Sequence, residues 1–189
     1  MKTGLFFGSF NPIHVGHLII ANYMLQFTEV EEVWFVVSPQ NPFKIHDTLA
    51  DEKHRLAMVR LAVEDNPALK AVDIEFGLSK PSFTIHTLYH LKEQYPEREF
   101  ILIMGSDNLA GLHKWKGYEE IITGYSLFVY HREGFDNQYL KARKNVRVFD
   151  APVLNISATF IREVLQADKS IRYLVPEEVG AYINENKLY

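Results

Sequence analysis

The sequence lacks cysteine altogether, which excludes a disulfide framework, a thiolate nucleophile and a cysteine-ligated metal. It also lacks an apolar run near the roughly 20 residues of a membrane span, and a polar loop that begins at Gly8 interrupts any secretory signal. Neither sign of charge dominates, because 20 Lys+Arg stand against 24 Asp+Glu and are interspersed with them. Since proteins that bind nucleic acid usually carry a basic face, we expect a cytoplasmic protein that binds neither nucleic acid nor membrane.

The chain length fits one domain. We expect residues 1–189 to fold as a single unit, since this length is too short for two typical domains. Hydrophobic residues make up 47% of the chain and charged ones 23%, which is ordinary globular usage and indicates a packed core rather than a disordered chain. The sequence leaves the oligomeric state open, including a homo-oligomer.

Short β-rich runs alternate with helical patterns along the chain. The predicted strands are a first ending at Leu5–Phe7, then Val33–Val37, Ala71–Phe76, Phe100–Met104, Ser126–Tyr130 and Val146–Phe149. The predicted helices include Val15–Phe27, one capped by Asp51 and ended by Asn66–Pro67, one carrying Ile85, Leu88 and Leu91, a short Tyr118–Ile122, one carrying Ile161, Val164 and Leu165, and a last one beginning at Pro176. This alternation predicts an α/β fold, a Rossmann-like doubly wound parallel sheet of five to six strands with helices on both faces. Ligands of such sheets bind beyond the carboxyl ends of the strands.

The turn after the first strand, Gly8 to His17, contains two glycines, one proline and two histidines. His14 and His17 are three residues apart and face the same way if both lie on one helical turn. The start of a helix offers unpaired N–H groups that suit phosphate, and imidazoles there can donate to oxygens that gain charge at a phosphorus. Two alternatives are histidines that cap the helix or fill space, and a pair of metal ligands.

A second group of phosphate-type residues stands at 157–162. Ser157 and Thr159 suit a helix N-terminus, and Arg162 offers a fork that matches phosphate oxygens. The alternative is a capped amphipathic helix with an exposed arginine.

Several residues in the middle of the chain suit a nucleotide acceptor. Asp107, after a strand and Gly105, suits a ribose or a helix cap. The Trp115 ring suits stacking on a flat ligand ring, or packing. Lys44 suits a phosphate, with His46 as a weaker candidate, or is ordinary solvated charge; Arg132 suits phosphates or is a surface arginine.

The pattern Gly-x-Phe-x-Pro-x-His-x-Gly-His resembles the hallmark of the nucleotidyltransferase superfamily with a His-x-Gly-His motif. The segment Ile156–Arg162 looks like that superfamily's Ile-Ser-Ser-Thr-x-Ile-Arg motif. The segment Lys80–Thr84, with Trp115, resembles the bacterial nicotinate-nucleotide adenylyltransferase branch. This chain departs from the branch at Phe7, Asn11, His86 and Ala158.

The resemblance implies which residues form the site. It implies that the catalytic residues are His14, His17 and Arg162. It implies an ATP site formed by Gly8, Ser9, Phe10, Gly16, Gly105, Asp107, Ile156, Ser157 and Thr159. It implies a mononucleotide site formed by Asn11, Lys44, Thr84, Trp115 and Arg132. No protein-held metal is expected, and Mg²⁺ is expected to arrive with ATP.

The reaction implied by the resemblance joins the adenylyl group of ATP to nicotinate mononucleotide, giving nicotinate adenine dinucleotide and pyrophosphate in NAD biosynthesis. The same chemistry on nicotinamide mononucleotide, pantetheine phosphate or, with CTP, an alcohol phosphate is the nearest alternative. A nucleotide-binding sensor without turnover and a histidine-based metallohydrolase are alternatives from other classes.

Overall fold

A six-stranded parallel sheet forms the centre of the molecule in the computed structural model, which describes residues 1–40, 49–135 and 143–189. The strands are β1 Lys2–Gly8, β2 Glu32–Val37, β3 Leu69–Val72, β4 Glu99–Gly105, β5 Ser126–Tyr130 and β6 Val146–Phe149. They lie in the order β3-β2-β1-β4-β5-β6, and every neighbouring pair is parallel. This order is that of a doubly wound Rossmann-like sheet, so the predicted fold class is confirmed.

Seven α-helices lie in the described residues. They are α1 Val15–Phe27, α2 Glu52–Val63, α3 Thr84–Gln94, α4 Ser106–Gly111, α5 Tyr118–Gly124, α6 Ala158–Gln166 and α7 Glu177–Glu185. Asp51 caps α2 as predicted, because its side chain accepts from the Lys53 N–H at 2.8 Å. None of the helices in these ranges is long and apolar enough to cross a membrane.

Alternate residues of the central strands pack on opposite faces of the sheet. Phe35 of β2 packs with α1, α2, α6 and α7 in one buried cluster, whereas Trp34 and Val36 pack with α3, α4 and α5 in the other. This period of two gives each strand two buried faces, which explains its nearly unbroken apolar sequence. The helices on both faces were predicted; the organisation of 1–189 as a single domain stays a prediction.

The predicted third strand, Ala71–Phe76, was wrong at both ends. The strand begins earlier, at Leu69, and ends at Val72, and Ile74–Gly77 forms a 3₁₀ turn instead. Glu75, inside the predicted strand, lies instead in this turn, where its side chain accepts from hydroxyl groups of the segment that follows.

The chain reverses its direction of winding between β1 and β4. These strands are neighbours, yet the connection from β1 leads toward β2 and that from β4 leads toward β5. A crevice therefore opens beyond their carboxyl ends, where Gly8 ends β1 and Gly105 ends β4.

A buried charge cluster lies at the amino end of the sheet, opposite the crevice. Glu32, at the start of β2, is 9% exposed and accepts from Lys70 Nζ at 2.7 Å, Arg98 Nη1 at 2.9 Å and Trp34 Nε1 at 3.0 Å. Because this carboxylate lies at the amino end of the sheet, it stands apart from the crevice.

Candidate active site

The loop after β1 brings two imidazoles together at the start of α1. His14 is the residue before the helix, and its ring stacks on that of His17 with 3.7 Å between centroids. The His14 backbone N–H donates to His17 Nδ1 at 3.2 Å. A neutral His17 that accepts through Nδ1 carries its proton on Nε2, which makes Nε2 a hydrogen-bond donor. His17 thus helps to cap the helix with one nitrogen, and the capping alternative is compatible with a chemical role for the other.

The loop glycines make room for side chains of the loop itself. A Cβ on Gly8 would meet the Phe10 ring at 2.8 Å, and one on Gly16 would lie 3.1 Å from His14 Nδ1. Phe10 is 3% exposed, has a φ of 46°, and packs in the core against Phe6 and Phe35. The buried ring therefore anchors the turn that presents the histidines.

Burial, together with the positive charge of nearby Arg132, lowers the pKa of His14 from 6.5 to about 4. The His14 ring is 5% exposed, and its Nδ1 has no hydrogen-bond partner among the described residues. His14 is consequently neutral at neutral pH.

We expect an NMR titration to find the His14 ring neutral down to pH values well below 6.5. Because the folded-state pKa lies below the unfolded one, the His14 contribution to stability is fully present above pH 6.5 and is lost as pH falls through about 4. Added ATP should raise this pKa, since phosphate stabilises the imidazolium. His14→Gln identifies the resonance, and a midpoint near 6.5 in the free protein would contradict the burial effect.

The second phosphate-type segment lies against the first. Ser157 caps α6 by accepting from the Phe160 N–H at 3.1 Å, which fixes the helix start. Arg162, one turn on, donates from Nη1 to the Asn11 carbonyl at 2.9 Å across 151 residues of sequence. The structure therefore joins the two predicted phosphate segments, and Arg162 is half-buried rather than a free surface arginine.

Asn11 links this arrangement to α2. Its side-chain oxygen accepts from the Ala50 N–H at 3.1 Å, and the residue is 3% exposed. That contact gives Asn11 a structural part; its predicted contact with the mononucleotide stays a prediction.

Asp107 and Arg132 form another part of the site, beyond β4 and β5. Gly105, not Asp107, occupies the capping position of α4, and Asp107 Oδ1 is buried without a hydrogen-bond partner in the described residues. Arg132 Nε lies 3.6 Å from that oxygen, and the Arg132 N–H donates to Ser106 Oγ at 2.8 Å. The structure places Arg132 beside Asp107 and near His14; its predicted contact with the mononucleotide stays a prediction.

A cavity of about 350 Å³ opens on the other side of the crevice. Two residues predicted for the mononucleotide, Thr84 and Trp115, line it together with Gly8, the last residue of β1. Sequence reasoning missed further lining residues, namely Glu75, Asn108, Lys114 and Lys116. Lys116 Nζ lies 4.7 Å from the Phe83 ring centroid, so a cation stands beside an aromatic wall of the cavity.

The remaining predicted residues are less informative. Lys44 and His46 fall in 41–48, outside the described residues. Ile156 is half-buried against the core, and Thr159 Oγ1 lies 3.4 Å from Arg162 Nη2. No group of three or more metal-ligating side chains forms within 1–40, 49–135 and 143–189.

Arg55 is a buried residue that sequence reasoning missed. It is 1% exposed, and its guanidinium donates to the carbonyls of Ser9 and Ser38 at 2.7 Å each, of Pro39 at 2.8 Å and of Ala50 at 2.9 Å. One side chain therefore holds the loops after β1 and β2 against the start of α2.

Comparison with known proteins gives consistent matches. The cytidylyltransferase-like family model matches residues 5–164. A protein of Cytophaga hutchinsonii named "Probable nicotinate-nucleotide adenylyltransferase" is 53% identical over 100% of this chain and 98% of its own length. A protein of the same name from Flavobacterium johnsoniae is 50% identical over 100% of this chain and 99% of its own. The solved Plasmodium falciparum nicotinic acid mononucleotide adenylyltransferase complexed with NaAD has a TM-score of 0.85 at 21% identity, covering 100% of this chain and 97% of that one, and so shares the fold.

Proposed function

The chain belongs to the cytidylyltransferase-like family, and within it to the nicotinate-nucleotide adenylyltransferases, and from this premise we propose that it transfers the adenylyl group of ATP to nicotinate mononucleotide. The products are nicotinate adenine dinucleotide and pyrophosphate, and the reaction is a step of NAD biosynthesis. The names of the full-length relatives support this activity.

One observation carries the proposal. Gly8 lines the cavity with Trp115 and Thr84 and also begins the loop that presents His14 and His17. The pyridine ring of the mononucleotide would lie in this cavity, with its phosphate directed toward the histidine pair. This arrangement favours adenylyl transfer to a flat, aromatic acceptor over transfer to the chain-like pantetheine phosphate.

The proposed step is an in-line displacement at the α-phosphorus of ATP. A phosphate oxygen of the mononucleotide bonds to that phosphorus, and the bond to the oxygen bridging toward the β-phosphate breaks, so that pyrophosphate leaves. The nucleophile is already anionic and needs no general base; positioning and charge stabilisation are sufficient. His17 donates from Nε2 to an α-phosphate oxygen, neutral His14 assists, and Arg162 stabilises the departing pyrophosphate. Mg²⁺ enters as part of the substrate Mg·ATP.

The other residue roles stay part of the proposal. ATP is bound by Gly8, Ser9, Phe10, Gly16, Gly105, Asp107, Ile156, Ser157 and Thr159. The mononucleotide is bound by Asn11, Lys44, Thr84, Trp115 and Arg132. Asp107 Oδ1 pairs with Arg132 Nε at 3.6 Å but accepts no hydrogen bond within the described residues, so it can still accept one from a ribose hydroxyl. We further propose that the protein acts in the cytoplasm.

Purified protein mixed with Mg·ATP and nicotinate mononucleotide should release pyrophosphate and form the dinucleotide, and EDTA should stop both. We expect a higher kcat/KM for the acid than for nicotinamide mononucleotide, because Lys114 and Lys116 line the cavity and attract its carboxylate. Chromatography of the products measures both. Binding of ATP without pyrophosphate release would indicate a sensor, and stoichiometric zinc by elemental analysis would indicate the metallohydrolase.

A further inference from the structure

Glu75 is a buried carboxylate in the wall of the mononucleotide cavity. It is 1% exposed and lies in the 3₁₀ turn Ile74–Gly77 that follows β3. Its Oε2 accepts from Ser82 Oγ at 2.6 Å, and its Oε1 accepts from Thr87 Oγ1 at 2.7 Å. Both carboxylate oxygens are therefore occupied by hydroxyl donors of a single neighbouring segment.

Those two hydroxyls stand on either side of the start of α3. Ser82 precedes the helix, Thr87 lies in its first turn and is fully buried, and Thr84 between them lines the cavity. Because one rigid carboxylate holds both flanks, it fixes the direction in which the first residues of α3 face. The N–H groups at a helix start have no partners within the helix, so their direction decides what an acceptor in the cavity meets.

The chemistry of this contact favours a functional reason for it. Burying a carboxylate costs free energy that hydrogen bonds only offset, and apolar residues of similar volume often stabilise a core as well or better. The negative charge of the Glu75 carboxylate is also unfavourable beside the carboxylate of nicotinate mononucleotide. Since both costs are borne beside the cavity, the contact is better explained by the geometry that it imposes.

Resting on the proposed function, we infer that Glu75 is a positioning residue of the mononucleotide site, which holds Ser82 and Thr87 so that the α3 start faces the pyridine ring. Glu75 acts through these hydroxyls. Thr87 does not line the cavity, so an effect of Thr87 on ligand binding must pass through the same contact. Neither partner reaches His14, His17 or Arg162 by any hydrogen bond of the described residues.

The test uses Glu75→Gln and Thr87→Val in the full chain. Glutamine keeps the size but presents one acceptor oxygen, so one hydroxyl loses its acceptor. We expect the Kd and KM for nicotinate mononucleotide to rise about fivefold in each variant, about 1 kcal/mol, because each variant removes a hydrogen bond between Glu75 and the segment that begins α3. The KM for ATP should stay within about twofold.

Binding is read without turnover, from the fluorescence of Trp115 during titration with nicotinate mononucleotide alone. Trp115→Phe supplies the baseline, since the other tryptophan, Trp34, is buried beside Glu32. Glu32→Gln is the matched control, because Glu32 is also a buried carboxylate but lies at the amino end of the sheet, away from the cavity. It should lower the melting temperature and leave the mononucleotide Kd unchanged.

The outcomes separate the two claims. Saturable quenching in the unmodified protein with unchanged affinity in both variants overturns the role of Glu75 and leaves the proposed function standing. An equal rise in the KM for ATP also overturns it, because it indicates general destabilisation. No quenching in the unmodified protein overturns the proposed function together with the inference that rests on it.

Discussion

Replacing His17 by alanine is expected to lower kcat by about 10²–10³-fold, the usual effect of removing one preorganised donor to a developing oxyanion. The structure gives the reason in atoms, since the His14 N–H at 3.2 Å occupies His17 Nδ1 and so fixes the proton on Nε2. The KM values should change little, because the donor acts on charge that develops in the transition state. Steady-state kinetics with circular dichroism measure both activity and folding.

Two variants control this experiment. His17→Gln keeps a donor near the Nε2 position and should recover part of the loss. His54→Ala removes an imidazole whose Nδ1 lies 2.9 Å from the Tyr182 hydroxyl, between α2 and α7, and should lower stability while leaving kcat nearly unchanged. A fall of less than about 10-fold in a folded His17→Ala protein would refute the assigned role.

The fold was largely predictable because its central strands are buried on both faces. Val33–Val37 and Phe100–Met104 are unbroken apolar runs of strand length, which are typical of central parallel strands. The failure came at the sheet edge. β3 has half-exposed residues, so its local pattern is weak, and the turn beyond it contains the hydroxyl contacts of Glu75, which no local pattern contains.

The site was predictable where function depends on a contiguous motif and was missed where it depends on one buried charge. His14, His17 and Arg162 stand in such motifs. The structure stacks the two imidazoles and joins Arg162 to the loop that carries them, while their chemical roles stay predictions. Arg55 and Glu75 read as ordinary polar residues of α2 and of an alternating strand. A signal did exist for Arg55: it precedes Val59 and Val63 at intervals of four, and so lies on the apolar stripe of its helix.

That position leads to the second large effect. Arg55→Ala is expected to lower the free energy of unfolding by about 3–5 kcal/mol, because it leaves three buried carbonyls and one part-buried carbonyl without their donor and opens a cavity. In a chain of this size each kcal/mol corresponds to roughly 2–4 °C, so the melting temperature should fall by on the order of 10 °C. Urea unfolding at constant pH measures the change.

Arg60→Ala on the same helix is the matched control. Arg60 pairs with Asp73 at 3.2 Å, and both side chains are more than half exposed. An exposed pair contributes about 0–1 kcal/mol, so the control should cost at most that. If Arg55→Ala costs no more than Arg60→Ala, the four carbonyl contacts do not stabilise the fold.

Arg55→Lys separates stability from catalysis. Lysine keeps the charge but loses the planar fork that reaches several carbonyls at once, so the protein should fold with its two loops less firmly joined. The Ser9 carbonyl belongs to the loop after β1 that carries the histidines, and Ser38 lines the same cavity as Thr84 and Trp115. If the loops after β1 and β2 are held less firmly, kcat should fall more than either KM rises. The reason is that misplaced reacting groups reach the geometry of the transition state less often, while substrate binding is little affected. Unchanged kcat in a folded Arg55→Lys protein would show that Arg55 supports the fold alone.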